Sequence, residues 1–97
     1  MYASIRRYIM DPGSVDELAR RVNEGFVPIV SGAPGFVAYY VLSARGGVLL
    51  SINVFEDQAG ADESNRRAAD WVRENIASLL PTPPEITAGD VIVHKAW

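Results

Sequence analysis

The chain has 97 residues, a net charge of −3, no cysteine, and close to half of its residues are apolar. This length predicts a single domain over residues 1–97, and the mildly acidic balance argues against a nucleic-acid-binding protein, which usually carries a basic face. The lack of cysteine excludes disulfides and thiolate metal sites, and it fits a cytoplasmic location. No apolar run approaches the roughly 20 residues that cross a bilayer, so no membrane association is expected. The N-terminal stretch does not predict a signal peptide.

The first third of the chain predicts a strand and then a helix. Tyr2–Ile9 is rich in tyrosine and isoleucine and ends at a turn over Asp11–Gly13. Ser14 and Glu17 have the spacing of a capping box at the start of a helix. Pro28 is expected to end or distort its last turn. The residues that recur at helical spacing are Val15, Leu18, Ala19, Val22, Phe26 and Ile29.

The middle of the chain predicts a β-hairpin. Phe36–Ser43 and Val48–Phe55 are rich in β-branched and aromatic residues, and Arg45, Gly46 and Gly47 between them are typical of a tight turn. In the second of these strands, valine, leucine and isoleucine alternate with a set that includes Ser51 and Asn53. In the first, regular alternation places Phe36, Ala38, Tyr40 and Leu42 on one face.

The last third predicts a second helix and a final strand. Asp57 is a suitable N-cap for a helix that runs to about Leu80, and the prolines within 81–84 stop it. Residues 85–96 contain the last strand, which we expect to be centred on Val91–Val93. The predicted inner face of the helix holds Ala61, Asn65, Ala68, Val72, Ile76 and Leu79.

The predicted order βαββαβ is that of a ferredoxin-like α+β domain, a four-stranded antiparallel sheet with two helices on one face. Right-handed crossovers place the first and third strands in the middle of this sheet. Neither face of the second and third strands is charged, whereas a solvated sheet face normally carries alternating polar residues. We therefore expect the helices to cover one face and a second copy of the chain to cover the other, in a homodimer.

Several segments carry a resemblance to a known superfamily: the turn Pro34–Phe36, the pair Tyr39–Tyr40, the run Val54–Asp57, and the helix around 63–72. The chain resembles the dimeric α+β barrel superfamily, and within it the antibiotic-biosynthesis-monooxygenase-like domains. The resemblance implies a homodimer whose two sheets pack face to face, with a pocket between each sheet and its helices. It also implies cofactor-free quinone-forming oxygenases, haem-degrading enzymes and small isomerases as the candidate activities.

The resemblance also bears on haem. Haem-degrading members use an asparagine on strand one and a histidine on helix two. Here the matching part of strand one is Ile5–Tyr8, and helix two has no histidine. Haem degradation is therefore not expected, and we predict no bound cofactor.

The polar residues on the central strands are the first candidates for a site. Asn53 is the leading candidate, because asparagine is disfavoured in strands and a buried amide needs partners. Ser51 lies on the same predicted face, and Ser4 and Arg6 share a face of the neighbouring strand. These residues either line a polar pocket, or they pair with one another or with water in a dimer interface. Both alternatives stay open, because the sequence does not fix the register of the two strands.

The remaining candidates each have a functional and a structural interpretation. Asn65 lies on the apolar stripe of the second helix. It either faces the sheet across a space and contacts a ligand there, or it points outward from the edge of the stripe. Tyr39, Tyr40 and Trp71 either contact a phenol or quinone or anchor the core or an interface. His94, the single histidine, either carries protons or is a solvated residue near the end of an edge strand. One histidine and no cysteine predict no metal site.

Two functions are consistent with these observations. The first is a small-molecule-binding domain that acts as a cofactor-free monooxygenase or isomerase on an aromatic, quinone-like substrate, with Asn53, Asn65 or His94 handling protons and oxyanions. In it, Arg6, Tyr40, Ser51 and Trp71 contact the substrate. The alternative is a non-enzymatic dimeric module for ligand binding or assembly. A pocket lined by two or more converging polar side chains favours the first, and a filled core favours the second.

Overall fold

The computed structural model describes residues 1–96, and its strands and helical regions follow one another in the predicted order βαββαβ. The elements are β1 (Tyr2–Ile9), a 3-10 turn (Pro12–Ser14), α1 (Val15–Arg21), a π-helical turn (Val22–Phe26), α2 (Val27–Ser31), β2 (Phe36–Ala44), β3 (Val48–Phe55), α3 (Gln58–Asn75) and β4 (Glu85–Asp90). The α1–α2 region is the first predicted helix, and α3 is the second.

The four strands form one antiparallel sheet in the order β2-β3-β1-β4. This order confirms the ferredoxin-like fold and places β1 and β3 in the centre, as predicted. The bounds of both central strands also agree with those predicted from sequence. In the hairpin between β2 and β3, Gly46 and Gly47 have φ angles of 78° and 76°, which side chains disfavour, so the glycine pair fixes this turn.

The predicted capping box at the first helix is wrong. Ser14 makes no side-chain cap bond, and the chain instead enters α1 through the 3-10 turn, where Asp11 Oδ1 accepts a hydrogen bond from the Gly13 N–H at 2.9 Å. The carboxylate of Glu17 instead accepts hydrogen bonds from Arg20 and Arg21, further along the helix. These two guanidinium groups lower the pKa of Glu17.

Pro28 distorts the helix, as expected. It lacks the N–H that would bond one turn back, and the segment just before it widens into the π-helical turn, where the Val27 N–H donates to the Val22 carbonyl. The wider turn rotates the residues that follow. As a result Val30 enters the core, while Ile29, which the helical repeat assigned to the inner face, is exposed.

The helix α3 begins as predicted and ends earlier. Asp57 Oδ1 accepts a hydrogen bond from the Gly60 N–H at 2.9 Å, but the regular helix stops at Asn75 instead of near Leu80. A turn over Ile76–Leu79 carries the chain to the prolines, so Leu80 is buried in the core in place of the predicted Leu79.

The last strand is shorter than predicted and is centred elsewhere. β4 covers Glu85–Asp90, and Asp90 pairs with Tyr2 at the start of β1. Beyond that pair, the Val91 N–H donates a hydrogen bond to the Met1 carbonyl at 2.9 Å. Ile92 follows the end of β4 and lies outside the described sheet with 91% of its surface exposed.

The core lies between the helices and one face of the sheet, which we call the inner face. Its largest fully buried apolar side chains are Leu18, Phe26, Val30, Phe55 and Ile76. The opposite, outer face carries no helix within residues 1–96, and its exposed apolar side chains include Ile5, Ile9, Tyr40 and Leu42. In the described part of the chain, no helix combines the length and apolar character needed to cross a membrane.

Candidate functional site

Two cross-strand pairs of polar residues lie side by side on the inner face of the central strands. Arg6 of β1 is directly opposite Ser51 of β3, and Ser4 is directly opposite Asn53. All four are buried, with Ser4 and Asn53 at 0% and Arg6 at 3% exposure. The predicted shared faces are therefore correct, and the register brings the two faces together. Polar side chains at such depth require partners, because an unpaired buried group costs about 1–3 kcal/mol.

Asn65 of α3 joins both pairs. Its Oδ1 accepts hydrogen bonds from Arg6 Nη1 at 2.5 Å and from Asn53 Nδ2 at 3.1 Å, while its Nδ2 donates to Ser4 Oγ at 2.7 Å. These three bonds fix the orientation of the amide. Of the two interpretations of Asn65, the structure has the one in which it faces the sheet. We call Ser4, Arg6, Ser51, Asn53 and Asn65 the polar cluster.

Two atoms of the polar cluster are buried without a hydrogen-bond partner among residues 1–96: Arg6 Nε and Asn53 Oδ1. Arg6 makes two bonds, from Nη1 to Asn65 and from Nη2 to Ser51 Oγ at 2.8 Å. A guanidinium carries five N–H groups, so its donor capacity is largely unused. Asn53 likewise has a free acceptor. Native structures pair nearly all such atoms, so these two call for a partner other than the described side chains, either water or a ligand.

Tyr39 extends the polar cluster toward the helices. Its hydroxyl is hydrogen-bonded to Ser51 Oγ at 3.0 Å, and its ring packs edge-on against Phe26 with centroids 5.6 Å apart. Burial raises the pKa of Tyr39, and the nearby Ser51 and Arg6 only partly oppose that effect. Tyr39 is therefore a neutral phenol that can donate or accept one hydrogen bond at the site.

A pocket of about 360 Å³ opens beside the polar cluster. Its size falls within the range of ligand pockets, roughly 300–1,000 Å³. Arg6, Tyr8 and Asn65 form its polar wall. The rest of the wall comes from the C-terminal turns of α3, from the segment after this helix and from β4. These residues are Ala69, Val72, Arg73, Ala77, Leu80, Pro81, Thr82, Pro83, Pro84 and Ile86. We call this space the α3 pocket.

A second space of about 20 Å³, the size of a water molecule, lies deeper between the sheet and the helices. Arg6, Tyr39 and Ser51 line it together with Trp71. The indole of Trp71 packs against Phe26 at a centroid distance of 5.7 Å, and a Cβ on Gly25 would lie 2.7 Å from its Cζ2. Glycine is thus what allows the π-helical turn to approach Trp71. Because Arg6 borders both spaces, the deep space and the α3 pocket share one polar wall.

Two of the proposed site residues lie away from the polar cluster. Tyr40 is on the outer face and 56% exposed, because a β-bulge between Phe36 and Ala38 reverses the alternation along β2 and turns Tyr39 inward instead. His94 lies beyond β4 and is exposed. It was expected on the last strand, but that strand ends at Asp90. Neither residue lines the α3 pocket or the deep space.

Other residues of the site were not singled out from sequence. Ser64 Oγ accepts a hydrogen bond from Asn53 Nδ2 at 3.4 Å and is buried. Tyr39 differs from Ser64, because the sequence already offers it beside Tyr40 as a ligand contact or an anchor, but only the bulge decides which tyrosine faces inward. Arg73 enters the pocket wall from the last turn of α3. The segment Pro81–Pro84 enters it through the path of the chain after α3, which the sequence does not predict.

The residues at the site do not suit a metal or a haem held by histidine. In the described residues, no group of three or more histidine, cysteine, aspartate or glutamate side chains is placed to hold a metal ion. No histidine lines either space. The side chains that are present are donors of hydrogen bonds to oxygen: a guanidinium, two amides, hydroxyls and a phenol. Such groups bind and stabilise negatively charged or carbonyl oxygen atoms.

The sequence matches no family model and no curated protein. Solved structures, in contrast, match over nearly the whole chain. A protein of unknown function from Nitrosomonas europaea is 24% identical, with a TM-score of 0.80 over 98% of this chain and 92% of that one. A monooxygenase from the ActVA-Orf6 gene of Streptomyces coelicolor, in complex with nanaomycin D, is 18% identical, with a TM-score of 0.77 over 98% and 90%.

A third similar structure is a variant of MhuD with two manganese protoporphyrin IX molecules bound per active site. It is 15% identical and has a TM-score of 0.78 over 100% of both chains. Another, described as an antibiotic biosynthesis monooxygenase, is 17% identical with a TM-score of 0.72 over 96% of this chain and 100% of that one. At these identities the likeness concerns the fold. The chain has the α+β fold of the antibiotic-biosynthesis-monooxygenase-like proteins.

Proposed function

We propose that this chain is a small-molecule-binding domain that takes a flat aromatic molecule with phenol or quinone oxygens into the α3 pocket. The observation that carries the proposal is the convergence of Arg6 and Asn65 on one wall of a pocket that is otherwise mostly apolar. Apolar walls bury the rings of such a ligand, and a few placed polar groups orient it. The bound nanaomycin D and porphyrin of two structures with the same fold support a ligand of this general kind.

The same wall suits a reaction in which negative charge develops on a ligand oxygen. A cofactor-free monooxygenase and an isomerase both pass through a phenolate or an enolate. Donors fixed in place at that oxygen stabilise the charge without having to reorganise, and Arg6 and Asn65 are held by the bonds of the polar cluster. In the oxygenase, the phenol is oxidised to a quinone by O₂, which contributes one oxygen atom and leaves the other as water.

The binding proposal is tested with 2-naphthol as the probe. Isothermal titration calorimetry should show saturable binding to the wild-type chain, and Ala69→Trp, which fills the α3 pocket, should abolish it. Ala59→Trp is the matched control, because Ala59 is an exposed alanine of the same helix that does not line this pocket. Equal loss in both variants, or no binding to the wild type, would contradict the proposal. Oxygen uptake with the bound naphthol separates the oxygenase from the isomerase and from the non-enzymatic module.

Homodimerisation belongs to the same proposal, and the outer face supports it. Tyr40, Ile52, Ile5 and Thr87 are successive neighbours across the four strands, and Ala38, Val54 and Ala3 form an apolar row beside them. A second copy that packs its own outer face against these rows would bury them. If the α3 pocket binds no ligand, the apolar outer face favours the alternative, a non-enzymatic assembly module.

A further inference from the structure

Arg6 is a buried cation with no counter-ion. In the part of the chain that the structure describes, it forms no ion pair with a carboxylate, whereas Arg7, Arg20, Arg21, Arg66, Arg67 and Arg73 all do. Its side chain is nonetheless the one that is buried, at 3% exposure. Burying a charge is costly unless an opposite charge or a dense set of hydrogen bonds compensates for it.

The partners of Arg6 within the polar cluster are all neutral. Asn65 Oδ1 and Ser51 Oγ accept its two hydrogen bonds, and Nε has no partner. Tyr39, a phenol near Arg6, supplies no negative charge, because burial raises its pKa and keeps it protonated. The negative charge that Arg6 requires is therefore absent from the described residues around it.

The α3 pocket shows the same imbalance. Among residues 1–96, its charged lining residues are Arg6 and Arg73, and no acidic residue lines it. Arg73 donates to Asp70 at 3.0 Å and lies at the exposed rim, so Arg6 is the uncompensated charge on the inner wall. In a chain with a net charge of −3, an acid-free pocket with two arginines is a local reversal of the overall charge.

We propose that the natural ligand of the α3 pocket is an aromatic monoanion: its rings are apolar, and its single carboxylate is bound by the Arg6 guanidinium. This inference rests on the proposed function, because it names the class of ligand for that same pocket. A carboxylate is acceptor-only and matches the fork of N–H groups on a guanidinium. The rings lie against Val72, Leu80 and Ile86 on the apolar wall.

The test compares two probes of nearly the same shape, 2-naphthoate and 2-naphthamide, by calorimetry at about pH 7. The wild-type chain should bind the anion at least about tenfold more tightly, the scale of a hydrogen bond to a charged group. Arg6→Gln should remove this preference while 2-naphthamide still binds. Arg6→Lys, which restores the charge without the fork, should recover part of it.

Arg7→Gln is the matched control. Arg7 is the next residue of β1, on the outer face, paired with Glu85 at 4.0 Å, so its replacement should leave the ratio of the two affinities unchanged. If Arg6→Gln does not fold, the wild-type ratio still decides. Equal affinities of the wild type for the two probes would overturn the assignment of an anionic ligand and leave the proposed pocket standing. Failure of both probes, and of 2-naphthol, would overturn both proposals.

Discussion

Asn65 Oδ1 accepts a hydrogen bond from Arg6 Nη1 at 2.5 Å, which joins the centre of the sheet to α3 across 59 positions of sequence. The same amide accepts from Asn53 and donates to Ser4. The wall of the α3 pocket is therefore also one of the polar connections that hold α3 on the sheet. Changes in this cluster should act on stability and on ligand binding together, in proportions that depend on how deeply each residue is buried.

Asn53→Ala should lower the free energy of unfolding by about 1–3 kcal/mol. Asn53 is fully buried. Its loss removes the hydrogen bond that it donates to Ser64 Oγ and one of the two that Asn65 Oδ1 accepts, the other coming from Arg6. Urea unfolding followed by circular dichroism measures the change. Asn23→Ala, at an exposed position of the π-helical turn, is the control and should change stability by much less. An Asn53→Ala variant as stable as the wild type would show that the amide is not structural.

Ile5→Glu should shift the chain from dimer to monomer. Ile5 is 37% exposed on the outer face, where the proposed second copy would bury it, and a buried unpaired carboxylate is strongly unfavourable. Ile29→Glu on α2 is a close control, because Ile29 is 38% exposed but lies on the helical side. Sedimentation equilibrium at micromolar concentration should give twice the chain mass for the wild type and for Ile29→Glu. A monomeric wild type would refute the dimer.

Gly25→Ala should destabilise the protein, although alanine is ordinarily the better helix residue by about 1 kcal/mol. The added Cβ would lie 2.7 Å from Trp71 Cζ2, so the indole that lines the deep space must move. Gly89→Ala in β4 is the control, since nothing lies within 4 Å of its Cβ position. Thermal unfolding and near-ultraviolet circular dichroism measure the effect. A Gly25→Ala variant with a raised midpoint and an unchanged Trp71 signal would contradict this packing.

Stability should fall at alkaline pH through Tyr39. Its pKa is raised in the folded state by burial, so between the unfolded and the folded pKa the unfolded chain binds fewer protons. The contribution of Tyr39 to the free energy of unfolding is therefore complete below its pKa in the unfolded chain, about 10, and is lost as the pH rises through its pKa in the folded chain. Tyr39→Phe should flatten the alkaline loss in urea unfolding. The chain has four tyrosines. An absorbance titration should show a phase of phenol ionisation at raised pH that belongs to Tyr39, and this phase should disappear in Tyr39→Phe.

The parts of the fold that local chemistry determines were predictable from the sequence. The alternation in β3 and the glycine turn before it fix that strand from end to end. The end of β4 was not predictable, because the apolar run Val91–Val93 reads as strand. In the structure β4 ends at Asp90, which pairs with Tyr2 of β1, and this pairing across the sheet has no signal in the local sequence.

The candidate site divides in the same way. Arg6, Ser51 and Asn53 follow from strand alternation, since each is a polar residue on the inner face of a central strand. Tyr40 was misplaced because the bulge in β2 reverses the alternation, and a bulge depends on pairing across the sheet. The pocket wall at Pro81–Pro84 depends on where α3 ends. The cytoplasmic location and the absence of a cofactor stay predictions.

The most direct test of the account is a map of where a small aromatic molecule binds. Two-dimensional ¹H–¹⁵N spectra of the labelled chain, titrated with 2-naphthol, should show shifts concentrated at Arg6, Asn65, Val72 and Ile86 around the α3 pocket. The side-chain amide of Asn65 should move with the backbone signals, because it lies on the polar wall. Shifts confined to Tyr40 and Leu42 on the outer face, or no saturable shifts, would contradict the account.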